Sequence, residues 1–104
     1  MVNGGGVFMN NNGHHKPEPS VHLLGVKDGP FAGEKIVHFA ISGRTIAATV
    51  SEQFIIHTKT DAMLKVEVYG NSEGMTLIGI PGECFATTRR QWIPNKELNL
   101  ESPR

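Results

Sequence analysis

The sequence predicts a small all-β domain, either a barrel or a compact β-sandwich of about five to seven short antiparallel strands. Three observations predict it. Residues 35–41 and 44–50 are β-branched, apolar-rich runs on either side of Ser42-Gly43, a two-residue turn signal. Residues 64–69 alternate Leu64, Val66 and Val68 with Lys65, Glu67 and Tyr69, the period of a half-buried strand. Glycine and proline punctuate the chain at close spacing, at Gly29-Pro30, Gly33, Gly43, Gly70, Gly74 and Pro81-Gly82.

The elements follow in order. Residues 1–20 hold the Gly4-Gly5-Gly6 run, the Asn10-Asn11-Asn12 run, Gly13 and two prolines, Pro17 and Pro19. Such a segment buries too little surface to offset its ordering entropy, so it reads as a disordered arm, or one ordered only by a partner. Val7, Phe8 and Met9 interrupt it and would serve as a docking point. The β domain spans residues 21–100, and residues 101–104 form a polar tail. Residues 21–26 read as a strand, ended by the turn signal Lys27-Asp28-Gly29-Pro30.

In the hairpin that follows, a Ser42-Gly43 turn sets Ile41 opposite Arg44, Phe39 opposite Ile46 and Val37 opposite Ala48. Val37, Phe39, Ile46 and Ala48 then share one apolar face. Slipping by one residue would mix the faces, so the register is well specified. Ser51-Glu52-Gln53 is a polar break. Residues 54–58 read as a short strand because Ile55, Ile56 and Thr58 are β-branched, with one helical turn capped by Ser51 as the alternative.

A second hairpin joins residues 64–69 to 75–80 through Gly70-Asn71-Ser72-Glu73-Gly74, whose glycines and asparagine suit positive φ. After the Pro81-Gly82 turn, residues 84–88 and 91–93 read as a last strand pair or one bent strand. Residues 94–98 read as a helical turn with Asn95 as cap, and 99–101 as a brief closing strand. Two meander hairpins, then Trp92-Ile93-Pro94, a helical turn and a short strand resemble an SH3-like barrel in layout over residues 21–100. That superfold hosts peptide binders, nucleic-acid binders, assembly subunits and a few enzymes, so the layout does not decide function.

Composition narrows the classes. The chain has 104 residues, one domain at most, with ten Lys plus Arg against ten Asp plus Glu. A neutral protein lacks the basic field that non-specific nucleic-acid binding uses. Cys84 is the only cysteine, which excludes an intramolecular disulfide and a multi-cysteine metal site. No apolar run reaches membrane-span length and no signal-peptide pattern opens the chain, so the expectation is a soluble, cytoplasmic protein.

Catalytic chemistry finds little support. His14, His15, His22, His38 and His57 lack metal-ligand spacing and read as isolated surface or half-buried histidines. Cys84 lies between Glu83 and Phe85, where nothing lowers a thiol pKa, and reads as structural. Gly4-Gly5-Gly6 lacks the strand, helix and Lys-Ser/Thr pair of a phosphate loop. The carboxylates are scattered over turns and exposed strand faces. No cofactor and no metal is implied.

The densest cluster is Thr87-Thr88-Arg89-Arg90-Gln91-Trp92, with two arginines beside the only tryptophan. Arg90 and Trp92 share a face of a regular strand, and Arg and Trp are the types most enriched at binding hot spots. The plainer reading has Trp92 plugging one end of a barrel under a solvated cover of arginine. Tyr69, with Lys65 and Glu67 on one strand face, is the second patch. The candidate binding residues are therefore Arg89, Arg90, Trp92, Tyr69 and Lys65.

These readings favour a non-enzymatic binding or assembly module that engages a protein partner or forms a homo-oligomer through exposed strand edges or the arm. The first alternative is a barrel that binds nucleic acid or a nucleotide through the arginines and aromatics. The second is a small enzyme whose site forms between subunits, with His38, His57, Glu83 and Cys84 as its residues.

Overall fold

The computed structural model describes residues 18–100. The expected arm and its Val7-Phe8-Met9 triplet, up to residue 17, and the tail at 101–104 lie outside the described residues. Residues 18–20, counted with the arm by composition, belong to the domain. Ser20 is buried and opens β1, and the Pro19 carbonyl accepts the Val66 N–H at 3.0 Å.

The described chain is mostly β, arranged as three antiparallel sheets. The strands are β1 (Ser20–His22), β2 (Gly25–Asp28), β3 (Glu34–Ile41), β4 (Arg44–Ser51), β5 (Ile55–His57), β6 (Ala62–Lys65), β7 (Glu67–Ser72), β8 (Met75–Gly79), β9 (Gly82–Cys84) and β10 (Arg90–Pro94). Their orders are β1-β6-β5, β10-β8-β7 and β2-β3-β4-β9. All three contribute to one core, including Val21, Phe39, Ile55, Leu64, Ile78 and Ile93.

The β3–β4 hairpin has the register that its alternation dictates, with Val37 opposite Ala48, Phe39 opposite Ile46 and Ile41 opposite Arg44. Val37, Phe39, Ile46 and Ala48 are all buried. Ser42 and Gly43 both have positive φ, 51° and 82°, the turn whose twist matches a hairpin. The Ser42 N–H also donates to Glu97 Oε1 at 2.9 Å, tying this turn to the end of the domain.

Elsewhere the chain breaks more often than the sequence suggests. Residues 21–26 are not one strand. The Leu23 N–H bonds the Ala62 carbonyl and the Leu24 N–H bonds the His38 carbonyl, so the chain changes sheets between β1 and β2. A second change falls at Val66, between β6 and β7. Residues 54–58 mix both readings, since a 3-10 turn at Glu52–Phe54 runs straight into β5, without a side-chain cap from Ser51.

The first strand of the second hairpin is shifted along the chain, and the turn is tighter than expected. Its turn is Glu73-Gly74, at φ 50° and 80°, while Asn71 and Ser72 stay paired with Thr76 and Met75. A bulge between Val68 and Gly70 then spoils the alternation. Leu64 and Val66 are buried, but Val68 is 44% exposed.

The last strands do not pair with each other. β9 joins β4, with Ala48 opposite Cys84, whereas β10 joins β8, with Trp92 opposite Leu77. Gly82 makes the first pairing possible, because a Cβ there would run into the Thr49 carbonyl. The expected helical turn is a 3-10 turn at Asn95–Glu97. Pro94 takes the cap position, and Asn95 Oδ1 instead accepts from Thr76 Oγ1 at 2.6 Å. The closing strand reduces to a single bridge between Ser20 and Asn99. The sheets are open, and no ladder among the described residues closes them into the barrel that the SH3-like layout called for.

Candidate functional site

The β10-β8-β7 sheet turns one face to solvent. Residues opposite one another in an antiparallel ladder share a face. The registers therefore define three rows, Arg90 with Gly79 and Glu67, Trp92 with Leu77 and Gly70, and Pro94 with Met75 and Ser72. The other face of β10 carries Gln91 and Ile93, both buried.

Trp92 is 47% exposed, so it does not plug a barrel end. With Gln91 and Ile93 turned inward, the period of two leaves Trp92 and Arg90 outward together. Tyr69 reaches them through its bulge. It is 45% exposed, and the Arg90 guanidinium carbon lies over its ring at 4.4 Å from the centroid. Gly79 is the floor beneath, since a Cβ at this position would collide with the Tyr69 ring. The Tyr69 hydroxyl donates to Glu67 Oε1 at 2.6 Å, which fixes the far end of the ring.

Beside this stack, Tyr69, Gly79, Thr88, Arg89 and Arg90 line an open notch of about 500 Å³. The buried side chain of Gln91 holds its rim, donating from Nε2 to Thr87 Oγ1 at 2.9 Å and to the Thr88 carbonyl at 2.7 Å. Thr88 Oγ1 donates to the Arg90 carbonyl at 2.9 Å, and the Ile80 N–H donates to the Arg89 carbonyl at 2.8 Å. The run 87–92 thus divides its labour, with Thr87, Thr88 and Gln91 building the support that Arg89, Arg90 and Trp92 stand on.

Electrostatics fit the geometry. The hydrogen bond to Glu67 holds the Tyr69 hydroxyl above the usual tyrosine range, with burial and the Glu67 charge acting the same way and Arg90 and Arg89 pulling against it. The ion pairs among the described residues involve Lys35 and Lys65, and leave Arg89 and Arg90 without a carboxylate.

Four of the five candidate residues, Arg89, Arg90, Trp92 and Tyr69, meet on or beside this face. Lys65 does not join them. It lies on β6 in another sheet, with Nζ 3.7 Å from Glu18 Oε1. Residue-by-residue reading missed Gly79, although a glycine inside the run Leu77-Ile78-Gly79-Ile80 is itself a sign of close approach. It also missed the bulge that brings Tyr69 over that glycine, because Gly70, a residue type that often marks a bulge, reads as the start of the hairpin loop.

The residues of the inter-subunit enzyme reading are scattered. His38 is on β3, His57 on β5, and Glu83 and Cys84 on β9. Burial pushes the Cys84 thiol up, against a smaller downward pull from Arg89, the direction opposite to a reactive thiolate. Among the described residues no three His, Cys, Asp or Glu side chains converge as metal ligands, and no helix is long and apolar enough to cross a membrane. No family model, curated protein or solved structure matches the chain.

Proposed function

We propose that this chain is a non-enzymatic binding module that engages a protein partner, or a second copy of itself, through the outer face of the β10-β8-β7 sheet. One observation carries the reading: Trp92 and Tyr69 stand about half exposed on a built face, with Arg90 already stacked on the tyrosine. Aromatic and arginine anchors that are held in place before contact lose little side-chain entropy on binding.

The mode is side-chain docking rather than strand addition. The bonds at Ile80–Arg89 and Asn95–Gly74 set the phase of the β10–β8 ladder, so the backbone groups of Arg90, Trp92 and Pro94 face the free edge. Pro94 has no N–H, and the Arg90 carbonyl is taken by Thr88. That edge is blunted, as protected edges are. Zero net charge ranks a single-stranded nucleic acid below a protein as occupant of the same surface.

The test is sedimentation velocity over a concentration series, together with affinity capture, for the full chain and for Trp92→Ala with Arg90→Ala. Self-association or a captured protein is expected with the parent chain and is lost with the double variant. A strictly monomeric parent, with captures that do not differ between the two, contradicts the reading. Capture of oligonucleotides that salt abolishes moves it to nucleic acid.

A further inference from the structure

We infer that the notch between Tyr69, Gly79, Thr88, Arg89 and Arg90 binds a carboxylate on the protein partner, so that the face selects acidic segments. The inference rests on the docking role proposed for this face and adds the chemistry of its occupant.

Charge complementarity is the first argument. Arg89 and Arg90 both line the notch and form no ion pair among the described residues. The acid in the row of Arg90 is Glu67, and it already accepts a hydrogen bond from the Tyr69 hydroxyl. The notch therefore holds two guanidinium groups that have no carboxylate partner among the described residues.

Preorganisation is the second. Arg90 lies over the Tyr69 ring, a contact that uses the face of the ring and leaves the guanidinium donors free for a fork-to-fork pair. The Tyr69 ring is fixed in turn by Glu67 and by the space that Gly79 leaves. Thr88 is held by Gln91 and by its own bond to the Arg90 carbonyl. A partner that inserts an acid here meets one arginine already positioned, Arg90, with Arg89 beside it in the notch.

The planar fork of a guanidinium matches the two oxygens of a carboxylate, the anionic group that a protein partner carries on Asp and Glu. The apolar neighbours Trp92 and Leu77, one row away, suit the rest of a peptide chain.

Peptide display on the immobilised full chain tests this, with binders re-measured on Arg89→Ala, Arg90→Ala, Arg90→Lys and Trp92→Ala. Far-ultraviolet circular dichroism confirms that each exposed-site variant is folded. Binders rich in Asp and Glu are expected, weakened about tenfold or more by either arginine-to-alanine change. Arg90→Lys is expected to weaken them as well, because it keeps the charge but not the fork. Binders that depend on Trp92 but are neither acidic nor sensitive to the arginines overturn the carboxylate and leave the docking face standing. An absence of binders that depend on Trp92 or on either arginine overturns both. Displacement by inorganic phosphate more strongly than by glutamate at equal concentration also overturns the carboxylate, in favour of a phosphate group.

Discussion

Tyr69 is the only tyrosine in the chain, so its ionisation can be followed alone by phenolate absorbance. The hydrogen bond to Glu67 holds its hydroxyl above the ordinary range. Glu67→Ala is expected to bring the midpoint down towards the ordinary value of about 10. The linkage has a definite sign. A raised value in the folded state means a contribution to stability that is complete below the unfolded midpoint and is lost as pH rises through the folded one. A midpoint that stays put or climbs in Glu67→Ala contradicts the bond. Trp92 is likewise the only tryptophan, so the two aromatics of the face have separate optical signals.

Two strand glycines, at the level of elements, make opposite demands. At Gly82 an added methyl would meet the Thr49 carbonyl, part of the backbone, which can yield only by separating β9 from β4. At Gly79 it would meet the end of the Tyr69 ring, an exposed side chain that can swing away. Gly82→Ala is therefore expected to cost about 2 kcal/mol or more and Gly79→Ala about 1 kcal/mol or less in urea unfolding. The reverse order would contradict the packing described. The same elements explain what the sequence made legible. The β3–β4 hairpin could be read residue by residue because its turn signal and its alternation agree. In the second hairpin they disagree: Gly70-Asn71-Ser72 has loop composition, yet Asn71 and Ser72 stay in the ladder and Glu73-Gly74 takes the turn. The sheet change at Val66 carries no glycine or proline, so nothing local marks it, and Gly25, just after Leu23-Leu24, is the local sign of the first.

Over the whole molecule, one core gathers side chains from all three sheets, and the outer face of β10-β8-β7 is the one we propose for docking. Half of that face was visible in the chain, because a period of two is enough to put Arg90 beside Trp92. The other half was not. Tyr69 comes to Arg90 only through a bulge and across Gly79, contacts between positions distant in sequence that alternation does not encode. Lys65 follows the same alternation as Tyr69, but the chain leaves its sheet at Val66 and carries the lysine away. The pairing of β9 with β4 rather than β10 has the same origin, a close approach between Gly82 and Thr49. The central claim, that partners dock on this face, is tested most directly by mapping backbone amide shifts of the full chain as the tightest displayed peptide is added. Shifts centred on residues 67–79 and 87–94 are predicted; shifts centred on β2, β3 and the 29–33 loop, with β10 unmoved, would contradict it.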